Sequence, residues 1–119
     1  MLDHVSVKVS DLARSQAFYD QALKPLGLSR VMAGPDAAGY GDTRPFFWIG
    51  LGEPVGSIHV AFAAADRAGV NAFHAAALAA GGRDNGAPGV RPHYHPDYYG
   101  AFVLDPDGHN VEAVCHKPG

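Results

Sequence analysis

Residues 4–27, HVSVKVSDLARSQAFYDQALKPLG, and residues 59–82, HVAFAAADRAGVNAFHAAALAAGG, decide how this chain folds. Laid over one another at an offset of 55, they share nine residues in 24: His4/His59, Val5/Val60, Asp11/Asp66, Ala13/Ala68, Ala17/Ala72, Phe18/Phe73, Ala22/Ala77, Leu23/Leu78 and Gly27/Gly82. Self-similarity at a fixed offset reports architecture directly, so the chain reads as two copies of one unit, about residues 1–53 and 54–119.

Each copy carries the same punctuation. Val5, Val7 and Val9 alternate with His4, Ser6 and Lys8, the period of a strand with one face in a core. Ser10-Asp11 then predicts a helix N-cap, and the helix-forming run through Leu23 ends at Pro25 and Gly27. Short β-like runs follow at 28–32, 39–42 and 45–51, giving βαβββ. The second copy repeats the pattern with a strand at 57–63 and a helix at 66–80, where Val70, Phe73, Ala77 and Leu78 share one face. Its later strands are predicted near 89–93, 99–104 and 110–115, with a Gly- and Pro-rich loop over 84–96. The fold class is α+β: two βαβββ modules about a pseudo-twofold axis, forming a cup-shaped mixed sheet in a single domain spanning 1–119.

Composition bounds the function. At 119 residues and 12.5 kDa, the chain holds one core. Nine basic and twelve acidic residues leave a formal charge of −3 with no basic stripe, which argues against nucleic acid and anionic membranes as partners. No apolar run approaches the roughly 20 residues of a membrane span, and the polar residues Asp3, His4, Lys8 and Asp11 leave no signal-peptide core near the start, so a cytoplasmic location is expected. Cys115 is the single cysteine, which excludes an internal disulfide and a cysteine-based zinc cluster.

The repeat also points to chemistry. His4 and His59 occupy equivalent positions opposite the aliphatic stripe of their strands, and by the same alternation Glu112 joins that face on the last strand. A lone histidine of this kind is usually a hydrogen-bonded structural residue, and a lone glutamate near a C-terminus is usually solvated. Two imidazoles and a carboxylate converging in a cup are instead a facial triad, which holds a divalent metal and leaves positions open for substrate. Iron, manganese, nickel, zinc and cobalt all suit these donors. His74, His109 and His116, on a helix, in the Asp105-Pro106-Asp107-Gly108 turn and in the tail, are expected at the surface.

Strand-initial His4, the segment IHVAF around His59 and above all LDPDGHNVEAV at 104–114 resemble the vicinal oxygen chelate superfamily, which includes glyoxalase I, extradiol dioxygenases, fosfomycin-resistance transferases and bleomycin-resistance proteins. The resemblance covers essentially the whole chain. It implies the paired βαβββ fold, a homodimer and a metal held at the positions of His4, His59 and Glu112. The departures are informative. Glyoxalase I takes a further carboxylate from the last strand of its first module, where this chain has Trp48. Extradiol dioxygenases carry a histidine and a tyrosine before the final turn; His93 and His95 fit that spacing, but Phe102 stands at the tyrosine position. Ser6 resembles a hydroxyl that fosfomycin-resistance transferases use, without the cluster of cations a phosphonate requires.

The sequence therefore predicts a metal-dependent enzyme acting on a small molecule with two adjacent oxygens. His93 or His95 is the expected acid/base, and Ser6, Phe46, Trp48, Tyr98 and Tyr99 are the expected substrate contacts. The alternative is a metal-free cup for an aromatic drug, as in bleomycin-resistance proteins. Whether the two modules of one chain face each other or exchange with a partner is left open by the sequence.

Overall fold

The computed structural model describes residues 2–119. Its elements run β1 (Val5–Val9), α1 (Leu12–Ala22), a single 3-10 turn (Lys24–Leu26), β2 (Ser29–Ala33), β3 (Ala37–Gly41), β4 (Pro45–Leu51), β5 (His59–Ala63), α2 (Arg67–Ala79), β6 (Arg83–Val90), β7 (Tyr99–Leu104) and β8 (Asn110–Cys115). They form two four-stranded sheets, ordered β1-β4-β3-β2 and β5-β8-β7-β6. In each, the first strand of the half lies parallel to the last, and the remaining pairs are antiparallel. The register is equivalent as well: Ser6 opposes Trp48 in one sheet, and Ala61 opposes Glu112 in the other.

Local chemistry explains why the repeat folds twice. Asp11 and Asp66 both cap their helices, accepting from the Arg14 and Gly69 amides at 3.1 and 2.8 Å. Phe18 and Phe73 are both fully buried. The matched glycines diverge in purpose. Gly27 ends its turn at a left-handed φ of 78°, whereas in the second half that conformation falls on Gly81, with φ 99°. Gly82 is there for space: a Cβ would sit 2.5 Å from Val103 and 2.7 Å from the Phe18 ring.

A run of rings ties the halves together. Tyr19 lies 5.0 Å from Phe47, and Phe47 of β4 meets Phe62 of β5 edge-on at 5.2 Å. Val7, Val9 and Phe62 point into this shared core, so the opposite faces of β1 and β5, carrying Ser6, Lys8, His59 and Ala61, are left open.

Two expectations need correcting. His109 is not a surface residue; it is 2% exposed and acts as a staple. Its Nδ1 accepts from the Ile58 amide at 3.0 Å and its Nε2 donates to the Lys8 carbonyl at 2.8 Å. The rest of the turn does similar work. Asp105 takes the Tyr19 hydroxyl at 2.6 Å along with the Asp107 and His109 amides, and Asp107 takes both the amide and the hydroxyl of Ser10. The segment that looked like a turn with a free histidine is the latch between the two halves. The second correction concerns β6, which starts at Arg83, well before residue 89. Register shifts at Asp84/Gly86 and Gly86/Gly89 bulge this edge strand, and an edge tolerates Pro88 because one side of it has no ladder to satisfy.

Candidate functional site

Glu112 sits in the middle of β8 between Ala61 of β5 and Phe102 of β7. Its strand parity points it to the open face, yet it is only 1% exposed. A buried carboxylate needs partners for both oxygens. His59, two residues before Ala61 and on the same face of β5, brings Nε2 to within 2.8 Å of Oε1 while its own side chain remains 55% exposed. The Tyr98 hydroxyl donates to Oε2. Burial, followed by this bond to Glu112, holds the Tyr98 phenol well above its ordinary range, so it serves as a neutral donor.

Tyr98 reaches Glu112 because residues 91–98 form a compact loop. The Arg91 amide donates to the Tyr98 carbonyl at 2.7 Å, the Tyr94 amide to the Arg91 carbonyl, and the Tyr98 amide to the His95 carbonyl. Arg91 folds back on β6, donating to the Gly89 and Ala87 carbonyls and lying over the Phe102 ring. His95 uses both ring nitrogens: Nδ1 accepts from the Asp97 amide, and Nε2 is 2.6 Å from Nδ1 of His116. His93 is exposed and lies tilted against Tyr94, the ring centroids 4.2 Å apart.

The other expected site residues are dispersed. His4 falls one residue before β1, its Nδ1 2.9 Å from Asp3, and its side chain is 56% exposed. The His4 hydrogen bond, and then the Arg44 charge, lower the Asp3 pKa. With Phe46, Phe47, Val60, Ala61 and Phe62, His4 lines an apolar cavity of about 340 Å³. Trp48 lies across Gly39, where an added Cβ would sit 2.9 Å from the indole. Ser6 lines a separate cavity with Lys8 and the 54–58 linker. Tyr99, one residue from Tyr98 and hence on the other face, turns to α2, bonding Asn71 at 2.6 Å beneath Arg67. Among the described residues, no three His, Cys, Asp or Glu side chains gather closely enough in one chain to hold an ion. His59, Glu112 and Tyr98 come together; His4 does not join them. The Tyr98 to Glu112 bond is the feature the sequence reading missed, since no local pattern links a loop tyrosine to a strand carboxylate 14 residues later.

Two βαβββ halves, each a four-stranded mixed sheet with one helix, define a paired α+β architecture. The family model described as the Glyoxalase/Bleomycin resistance protein/Dioxygenase superfamily matches residues 1–113, and the chain belongs to that superfamily. Among solved structures it is similar to a glyoxalase/bleomycin resistance protein from Albidiferax ferrireducens T118, at 33% identity over 99% of both chains with a TM-score of 0.80. It shares the fold of a lactoylglutathione lyase from Agrobacterium tumefaciens, at 20% identity over 97% of this chain and 92% of that one, TM-score 0.72. It also shares the fold of the fosfomycin resistance protein FosX from Mesorhizobium loti, at 19% identity over 98% and 92%, TM-score 0.73. No curated protein matches the chain.

Proposed function

We propose that the protein is a divalent-metal-dependent enzyme acting on a small molecule with adjacent oxygens, and that His59 and Glu112 of one chain hold the ion together with His4 of a second copy. The observation that carries this reading is the Glu112 carboxylate, sequestered from water with one oxygen turned to a half-exposed imidazole. Imidazole nitrogen and carboxylate oxygen suit the same divalent ions that the sequence suggests. When bound, such an ion supplies Lewis acidity toward substrate oxygens.

The staple argues that the third ligand comes from another chain. His109 joins the Lys8 carbonyl to the Ile58 amide, which places His59 near the far end of β1. A strand rises about 3.3 Å per residue, so His4 stands roughly 13 Å along β1 from Lys8. A second copy presenting its own β1 to β5 closes that gap.

The chain's remaining residues have separable tasks in this reading. Phe46 and Trp48 wall the site and keep water out. Trp48 holds the position equivalent to Glu112 by register, so a fourth ligating carboxylate is missing, which disfavours lactoylglutathione lyase chemistry. Of the two loop histidines, His93 takes the acid/base role, because both ring nitrogens of His95 are engaged.

The test is metal content together with subunit mixing. Gently purified protein should carry close to one ion per chain, lost in His4→Ala, His59→Ala and Glu112→Ala. Mixing His4→Ala with Glu112→Ala chains should restore metal, because a hybrid dimer contains one intact site. Variants that stay empty on mixing, while wild type binds, would refute the shared site. A second reading, metal-free binding of a planar aromatic compound, is supported by the apolar cavity bearing Phe46, Phe47 and Phe62. Wild type that takes up no metal but binds such compounds would favour it.

A further inference from the structure

Three features converge on one side chain outside the ligand set. The Tyr98 hydroxyl takes up Oε2 of Glu112, leaving Oε1 directed to His59 on the open face. The space for this bond is a missing side chain. Gly100 lies between the two groups with ordinary backbone geometry, and a Cβ there would stand 3.2 Å from Cε1 of Tyr98 and 3.3 Å from Oε2 of Glu112. The loop is also built to hold the ring. His95 and His116, coupled to each other at 2.6 Å, meet the Tyr98 ring nearly edge-on at 5.6 and 5.2 Å, and Tyr94 packs at 4.8 Å.

From this geometry we infer that Tyr98 is a positioning residue for Glu112. By occupying Oε2 it makes the carboxylate a donor through one oxygen and fixes its orientation toward His59. A free carboxylate can rotate and offer either or both oxygens, whereas one pinned by a phenol offers one. The inference rests on the proposed metal-site reading. Outer partners of ligating groups are commonly worth about 10–100-fold in metal affinity.

Cobalt(II) titration of the full chain, followed by calorimetry and by the visible absorption bands of the bound ion, separates the two ideas. Tyr98→Phe keeps the ring and removes only the hydroxyl. It leaves Oε2 of a buried carboxylate without its partner, so it is expected to unfold at a lower temperature than wild type while staying folded where the titration is run, to bind cobalt(II) about 10–100-fold more weakly and to show shifted visible bands, as Oε2 becomes free to join the ion. Gly100→Ala, which keeps the hydroxyl but crowds it, should move affinity and bands the same way by a smaller amount. Tyr94→Phe, which loses a phenol hydroxyl from the same loop, should match wild type. If wild type binds cobalt(II) and Tyr98→Phe binds it equally with the same bands, the positioning role is wrong while the metal site stands. If wild type binds no cobalt(II), both fall.

Discussion

Tyr19 and Tyr40 of the first half place their buried hydroxyls on carboxylates, Asp105 of the second half at 2.6 Å and Asp20 of α1 at 2.8 Å. Burial, and then the neighbouring carboxylate, pushes both phenols far above their ordinary value of 10.0. A raised pKa means that the folded chain keeps its proton when the unfolded chain would lose it. The associated stability is complete below pH 10 and declines as pH climbs beyond it. Denaturant midpoints measured at about pH 8 and about pH 11 should therefore fall for wild type, and fall less for Tyr40→Phe; equal losses would show that Tyr40 is not the source. His109 makes a different residue-scale prediction. His109→Ala removes a ring that is 2% exposed together with both of its hydrogen bonds, to the Ile58 amide and the Lys8 carbonyl, so it should cost about 2 kcal/mol of unfolding free energy. His74→Ala, which loses one bond to an exposed Asp84, should cost far less in the same denaturation series.

Helix α2 packs on β6, β7 and β8, and its exit leaves no room for a side chain at Gly82. Gly82→Ala forces a methyl against Val103, Phe18 and the Ala77 carbonyl, groups on three separate elements that cannot all yield, and should destabilise the protein by about 1–3 kcal/mol. Thermal unfolding unchanged within error would mean that the exit can shift as a body. The repeat made this element readable in advance: the N-cap Asp66, the buried stripe through Val70, Phe73 and Ala77, and the strands at 45–51, 99–104 and 110–115 follow from period and punctuation alone. β6 escaped because bulges erase its alternation, and Asn-Gly and Pro-Gly within it read as turns. Along the site, His59 and Glu112 were legible because strand parity places them on one face. Tyr98 was legible only as an aromatic in a loop; its carboxylate partner depends on how that loop closes through the Arg91 and Tyr98 backbones. His109 was misread because turn residues are usually solvated, and here two halves of the chain meet over the turn.

Across the whole molecule, the halves share one core and leave uncovered the β5 face bearing His59 and the β1 face that His4 precedes, which couples metal uptake to assembly in the proposed site. An ion held by groups from two chains binds the dimer and not the separated monomers, so free metal at 100 times its dissociation constant adds roughly 2.7 kcal/mol per site to association. Sedimentation equilibrium should accordingly show the monomer–dimer midpoint at higher protein concentration after chelation than with cobalt(II) present. The His4→Ala chain should show no such dependence, because its half-sites cannot bridge. Metal that binds wild type without moving this midpoint would place all the ligands within one chain, and would require β1 to slide along β5 until His4 passed the position that the His109 staple now gives to Lys8. The staple is buried and uses both ring nitrogens of His109, so that slide breaks two hydrogen bonds for each site formed, a cost the exchanged arrangement avoids.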